Sequence, residues 1–264
     1  MRIGIISDIH GNYVALRTVL DKMGEVDSLW HLGDIVGYGP QPNECIETLR
    51  GYPHLCIPGN HDWGMLGRID VDLFNRDARF VLDWTRRNLS HDNLTYLEDL
   101  PVTMKAFGQC FTLVHASPRD PMWEYLLDLF DAAECFPLFR SRYCFVGHTH
   151  VPLIFRDMEG VVKAAIPEPG EVIDLNVWPK IEKLDEEIGP RMIINPGSVG
   201  QPRDGDPRAA YMVLDIPDNA TLADWDWTAR LTFYRLEYPI AEAQEIMRAL
   251  NFPPRLISRL ELGV

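Results

Sequence analysis

The chain lacks several features that would place it in a class at once. Its five cysteines (Cys45, Cys56, Cys110, Cys135 and Cys144) are odd in number and far apart, and no two of them form a C-x-x-C pair. A disulfide scaffold and a thiolate metal site are therefore not expected; several cysteines sit in apolar runs such as Tyr143-Cys144-Phe145-Val146, which suits buried, reduced thiols in a cytoplasmic protein. No apolar run approaches the roughly 18–20 residues that a membrane span needs. Met1-Arg2 leads straight into the short apolar strand Ile3-Gly4-Ile5-Ile6, so a secretory leader is not expected either. Basic residues are scarce, 25 against 39 acidic, for a net charge of −14. Such a surface repels polyanions, which argues against a long nucleic acid or an anionic membrane as partner and leaves a small phosphorylated substrate open. Internal repeats and low-complexity linkers are also missing.

What is present is ample core material, 46% apolar residues in a chain of 264. The first half alternates strands (Ile3–Ser7, Ser28–Leu32, Leu55–Ile57) with helices (Val14–Met23, Asn43–Arg50), as parallel βαβ units do. A helical insert is expected over about 68–100, with a break near Ser90. The spacing also predicts strands at Val102–Phe107, Cys110–His115 and Tyr143–Val146, and a helix over Asp120–Phe130. The second half reads as mostly β, ending in a helical tail over about 240–262 that Pro253-Pro254 interrupts. Glu182–Glu187 reads as a solvated acidic loop. Trp225-Asp226-Trp227 alternates as a strand does and marks an exposed edge or an oligomer contact, which leaves a homo-oligomer open. The polar motifs are spread over both halves and have to converge, so a single domain over 1–264 is expected.

Five segments share one design, an apolar strand that ends in metal-ligand residue types. They are Ile5-Ile6-Ser7-Asp8-Ile9-His10, Leu29-Trp30-His31-Leu32-Gly33-Asp34, Leu55-Cys56-Ile57-Pro58-Gly59-Asn60-His61-Asp62, Leu113-Val114-His115 and Phe145-Val146-Gly147-His148-Thr149-His150. Parallel α/β sheets bind ligands at the carboxyl ends of their strands. Residues i and i+2 of an extended chain face the same way, so Asp8 with His10, and His148 with His150, can aim together. Six of the eight histidines fall in these segments, which argues against chance scatter. Carboxylate, amide and imidazole without thiolate suit Mn²⁺, Fe²⁺ or Zn²⁺. Asp8, His10, Asp34, Asn60, His115, His148 and His150 are too many for one tetrahedral ion; they suit two ions about 3.5–4 Å apart, with Asp34 as bridge.

The ordered set Asp8-Ile9-His10, Gly33-Asp34, Gly59-Asn60-His61-Asp62, His115 and Gly147-His148-Thr149-His150 resembles the signature of calcineurin-like metallophosphoesterases. Ser7-Asp8-Ile9-His10-Gly11-Asn12 and Asn195-Pro196-Gly197-Ser198-Val199-Gly200 are similar to its small bacterial and archaeal phosphodiesterase branch. The resemblance implies a four-layer α/β/β/α sandwich with two mixed β-sheets. It implies one metal on Asp8, His10, Asp34 and His150 and another on Asp34, Asn60, His115 and His148, with hydrolysis by a hydroxide held between the ions. His61 matches the family's non-ligand histidine, the general acid, and Asp62 is placed beside it to orient or activate an imidazole. Protein phosphatases of this superfamily continue G-D with x-x-D-R-G; here the chain reads Gly33-Asp34-Ile35-Val36-Gly37-Tyr38-Gly39, without that Asp and Arg. That departure points to phosphodiesters. A phosphomonoesterase or nucleotide-polyphosphate hydrolase with the same metals, and a non-catalytic metal-binding scaffold, are the alternatives.

Around this set the readings divide. Asn12 is a helix cap or a substrate contact. Ser198 and Arg203 are substrate-binding candidates, against a surface pairing of Arg203 with Asp204 or Asp206. The Gly37-Tyr38-Gly39-Pro40 loop is either a wall over the substrate or a tight turn. His31 reads as packed, and His54 and His91 as exposed. Phe80, Trp84 and Trp123 read as core packing, with a lid as the alternative.

Overall fold

Strands and helices alternate through the first third of the chain: β1 (Arg2–Ile6), α1 (Tyr13–Met23), β2 (Ser28–His31), α2 (Pro42–Arg50), β3 (His54–Cys56) and α3 (Asn60–Leu66). The inserted helices α4 (Arg76–Asn88) and α5 (His91–Glu98) follow, then β4 (Thr103–Ala106), β5 (Phe111–Val114), α6 (Leu129–Cys135) and β6 (Tyr143–Phe145). The β-rich part holds β7 (Leu153–Met158), β8 (Val161–Ala165), β9 (Val172–Val177), β10 (Arg191–Asn195), β11 (Ala209–Asp215) and β12 (Trp227–Leu236), and the chain ends in α7 (Ile240–Ala249) and α8 (Pro254–Leu262). The computed structural model describes residues 1–158, 160–177, 191–218, 220 and 227–264. The acidic stretch Glu182–Glu187 and the pair Trp225-Asp226 lie outside the described residues.

The strands form two six-stranded mixed sheets, ordered β3-β2-β1-β11-β12-β9 and β4-β5-β6-β10-β7-β8. In the first, β1, β2 and β3 run parallel, with Ile5 opposite Trp30 and His31 opposite Cys56. In the second, β5, β6 and β10 run parallel. Alternation along β1 sends Ile3 and Ile5 to one face and Ile6 to the other. Ile3 and Ile5 join Trp30, Phe111, Phe145 and Ile194 in a core between the sheets. Trp30 ties them together there, its ring 5.4 Å from that of Phe111 and 6.0 Å from that of Phe145. Ile6 faces outward, onto Leu16 and Val19 of α1 in a core that extends to Met247 of α7 and Leu256 and Leu260 of α8. On the far side, Ala132 and Cys135 of α6 pack with Cys144, Phe155 and Ile193. The layers are therefore α/β/β/α, the sandwich expected.

Three expectations need correction. Asp120–Phe130 is not a helix: the Asp120 carboxylate accepts the N–H groups of Met122 and Trp123 at 3.1 and 3.2 Å and closes a turn. The helix starts only after Asp128, whose side chain caps the N–H groups of Phe130 and Asp131. Short acidic side chains compete with the helix for backbone groups, and here they do so twice. Trp227 is no edge residue, because β12 lies between β11 and β9 and its indole is buried in the core between the sheets. His54 is half-buried, bonded to the Tyr52 carbonyl and the Tyr96 hydroxyl. All five cysteines are buried and free. Among the described residues no helix is long and apolar enough to cross a membrane.

Candidate metal centre

Every strand of the five motifs delivers its polar residues to the same end of the sandwich. Just past β1 and β2 the chain enters left-handed turns, with φ of 52° at Asp8, 51° at His10 and 59° at Asp34; past β6 it does so again at His148 (65°) and His150 (61°). Aspartate and histidine tolerate this region better than most residues, and each such turn swings a side chain inward. The turns are held by backbone bonds across the strand ends. Asp8 N donates to Gly33 O at 3.1 Å, His10 N to Asp34 O at 2.9 Å and Gly147 N to His115 O at 2.7 Å.

The result is two groups of donor atoms, each group within 4.8 Å. Asp8, His10, Asp34 and His150 form one, Asp34, His115 and His148 the other, and all six residues are buried. Asp34 is common to both. Its Oδ2 lies 3.5 Å from His10 Nε2 and 3.5 Å from His115 Nε2, and has no hydrogen-bond partner. Its other oxygen, Oδ1, accepts the N–H of His61 at 2.8 Å. Asp8 Oδ1 is likewise buried without a partner, 3.4 Å from His150 Nε2. Asn60, the first residue of α3, places Oδ1 3.2 Å from His115 Nε2 and so joins the second group.

The outer nitrogens of the imidazoles are occupied. His10 Nδ1 donates to Val36 O at 3.1 Å, His115 Nδ1 to Leu32 O at 2.7 Å, and His150 Nδ1 to Gln201 O. In these three, Nε2 is left with a lone pair for an ion. His148 is turned the other way, with Nε2 donating to Trp123 O at 3.2 Å, which leaves Nδ1 free. Fixing the tautomer through a backbone carbonyl is the usual support for a metal-binding histidine.

Electrostatics point the same way. Among the described residues no Lys or Arg pairs with Asp8 or Asp34; their near neighbours are imidazoles. Burial, with the charge of Asp34 adding to it, pushes Asp8 up to about 7, against the pull of His115. Burial opposes the charge on Asp34 too, but His115 and His61 hold that carboxyl well below its usual range. Burial would lower His115, yet Asp34 and Asp8 raise it to about 9. Burial drops His148 to about 3. Buried carboxylates with orphaned oxygens face imidazoles that burial holds neutral at His10, His148 and His150, and one, His115, that the carboxylates draw toward its protonated form. This is a poor arrangement for a protein alone and a suitable one for divalent cations. The residues present therefore fit divalent cations.

Asp62 has a different task from the one expected. Its carboxylate accepts four backbone N–H groups, those of Gly59 (2.9 Å), Asp34 (2.9 Å), Ile35 (3.3 Å) and Val36 (3.0 Å), and no imidazole. It holds the Asp34 loop against the start of α3. Gly59 makes that contact close enough, since a Cβ there would land on Asp34 Oδ1.

His61 sits beside the centre, its ring 4.8 Å from His10, 4.5 Å from Tyr38 and 5.1 Å from Phe74. Its Nδ1 is buried without a partner, so among the described residues nothing substitutes for the carboxylate that the G-D loop lacks. Burial lowers its imidazole to about 4; Asp34 resists and Arg203 assists. The Gly37–Pro40 loop is a wall as well as a turn, because Tyr38 is buried against His10 at 4.7 Å.

Two expected substrate contacts are spent on structure. Asn12 caps α1 by accepting Ala15 N–H at 3.1 Å, and its amide donates to Gly200 O and the Tyr238 hydroxyl. Ser198 is fully buried, donating to Asp8 O and accepting from Gln201 N, both at 2.8 Å. Both brace the strand end that carries Asp8. Arg203 does face the site: Asp204 and Asp206 pair with Arg208 and Arg235, and its guanidinium lies 5.5 Å from the Tyr38 ring. Sequence reasoning missed Arg259 of α8, 5.6 Å from the same ring, and Tyr125, whose tilted ring lies 4.3 Å from that of His148. Phe80 and Trp84 pack on Phe252, away from the centre, whereas Trp123 lies against Phe74.

Residues 1–219 match the family model of the calcineurin-like phosphoesterase superfamily domain. An uncharacterized protein of Methanocaldococcus jannaschii is 35% identical over 99% of this chain and 98% of its own length. A symmetrical bis(5'-nucleosyl)-tetraphosphatase of Baumannia cicadellinicola is 29% identical over 52% of this chain and 49% of that protein, so the likeness spans about half of each. The crystal structure of a metallophosphoesterase from Sphaerobacter thermophilus superposes with a TM-score of 0.81 at 47% identity, covering 100% of this chain and 99% of the other.

Proposed function

The chain belongs to the calcineurin-like phosphoesterase superfamily and is a metal-dependent phosphoric ester hydrolase, and from that premise we propose that it cleaves small phosphodiesters with two divalent ions. The observation that carries the two-ion reading is Asp34 Oδ2, orphaned and 3.5 Å from a histidine of each donor group. Asp8, His10, Asp34 and His150 would hold one ion, and Asp34, Asn60, His115 and His148 the other. Mn²⁺, Fe²⁺ and Zn²⁺ all suit this donor set. When bound, the ions supply a water acidic enough to ionise near neutral pH and positive charge for the phosphoryl oxygens.

The chain's own residues do the rest. His61, beside Asn60 and against Tyr38, is the proton donor to the leaving oxygen. Its imidazole is neutral before substrate arrives, so the anionic phosphate is what raises it into the protonated form. Tyr38 closes one side and limits water around the reacting group. Asp62 keeps the Asp34 turn in place through four backbone bonds. The preference for diesters rests on the loop after Asp34, which carries Gly37 and Tyr38 where an Asp and an Arg would serve a phosphomonoester.

A second reading, hydrolysis of a nucleoside polyphosphate, is favoured by the tetraphosphatase relative and by the two arginines that flank Tyr38. A metal-supplemented assay of a model diester, a model monoester and a dinucleoside polyphosphate tests both, run beside His61→Ala. Loss of about 10²–10⁴-fold in His61→Ala with a poor leaving group, and much less with an activated one, is expected of a general acid. Turnover of the monoester alone would overturn the diester preference. No metal-dependent turnover of any of the three would sink the site reading.

A further inference from the structure

The last helix of the chain places a second cation at the metal centre. Arg203 and Arg259 both lie over the buried ring of Tyr38, at 5.5 and 5.6 Å from its centroid, and that ring touches His10 and His61. They come from segments 56 positions apart that the fold holds together: Gly205 N donates to Gly263 O at 2.9 Å, and a Cβ on Gly263 would strike the backbone of Asp206.

Neither guanidinium has an aspartate or glutamate partner among the described residues. Arg203 spends Nη2 on Gln201 Oε1 at 3.1 Å, while its Nε is buried without a partner. Arg259 donates from Nε to the main-chain oxygen of Val264. Burial, and then the charge of Arg203, draws the Arg259 guanidinium below its usual range. Two like charges brought onto one buried ring, in a chain whose net charge is −14, repel one another unless an anion lies between them.

We propose that Arg203, Arg259 and Tyr38 form a subsite for a second phosphoryl group, so that the substrate of this centre carries a diphosphate unit. The ions take the reacting phosphoryl, and the guanidinium pair takes its neighbour, with the fork geometry arginine offers to phosphate oxygens. Arg259 lies beyond the residues that match the family model, so this subsite is an addition to the shared core. The inference rests on the two-ion reading, and its test is made on binding so that the two can fail separately.

Binding of inorganic pyrophosphate and of orthophosphate to the metal-loaded protein is measured by titration calorimetry, for the native chain, Arg259→Gln and Arg259→Lys. The native chain is expected to prefer pyrophosphate. Arg259→Gln is expected to weaken pyrophosphate about ten- to a hundredfold, as loss of a charge-assisted bond does, and orthophosphate much less, with Arg259→Lys in between. A thermal melt of each variant reports folding, and the ratio of the two affinities within one variant is independent of the fraction folded. An unchanged ratio in Arg259→Gln, or no pyrophosphate preference in the native chain, would overturn the subsite. Discrimination between the two anions without turnover of any ester would remove the hydrolytic reading of the centre and leave the subsite standing.

Discussion

Asp62 accepts the backbone N–H of Asp34 at 2.9 Å, so one buried carboxylate holds the turn from which another reaches the centre. Three more buried N–H groups, of Gly59, Ile35 and Val36, depend on the same side chain. Asp62→Ala leaves all of them unpaired and should cost about 3–5 kcal/mol. Urea unfolding measures this, and a loss under about 1 kcal/mol would contradict the bracing role. Asp62→Asn, which can keep one acceptor oxygen on the N–H groups of Gly59, Asp34 and Ile35 and sets its NH2 against Val36 N–H alone, should cost less than Asp62→Ala.

Metal content separates the two donor groups. Asp34→Asn should lower the affinity for both ions, by more than the 10–100-fold typical of changes behind the ligands. Asn60→Ala and His148→Ala should each lose one ion and keep the other. Elemental analysis after gel filtration gives the ratio, and equal loss of both ions in all three variants would argue against a shared carboxylate.

Gly59→Ala tests how close the packing is. Its methyl group meets Asp34 Oδ1, and either the turn or the carboxylate has to move. Overpacking of this kind costs about 1–3 kcal/mol. Activity should fall further than stability does, since the displaced group belongs to the centre. A melting curve and a metal titration on the same sample give both numbers.

Chelation should destabilise the protein reversibly. An ion present at about a hundred times its dissociation constant stabilises by about 2.7 kcal/mol. For a chain of this size that corresponds to a drop in Tm of roughly 5–10 °C on treatment with a chelator, restored by Mn²⁺ or Zn²⁺. A Tm unaffected by chelation and re-addition would mean that no ion is held in the folded state.

Much of the centre was legible in the sequence because its chemistry sits in five short strings, each with its ligand types at fixed spacing from an apolar strand. Asp8 with His10 and His148 with His150 are not paired by an extended chain, because all four stand on left-handed backbone and His148 and His150 fall in different donor groups; their residue types and spacing were the legible signal. Segments that failed to read correctly depend on capping or on distance. The turns at Asp120 and Asp128 override an apolar pattern that resembles a helix, and Asp128 was the only local sign of where α6 begins. α3 is seven residues long with Gly64 inside it, too short for periodicity to show. Arg259 lies on an ordinary amphipathic helix, and nothing near it in the chain indicates that Gly263 will dock on Asp206. Asn12 and Ser198 have side chains that suit a substrate as well as they suit a backbone, and only the tertiary contacts assign them to the backbone.

Asp8, His10, Asp34, His148 and His150 all stand on left-handed backbone. Each such residue costs about 1–2 kcal/mol, met by strand pairing and packing elsewhere in the sandwich. The donors are thus set out by the polypeptide before any cation arrives. A socket prepared in this way fixes donor type and placement in advance, so for the ions it is proposed to hold, those fixed features act together with cellular supply to decide which element fills it. Exchange of one metal for another then alters the chemistry without remodelling the chain.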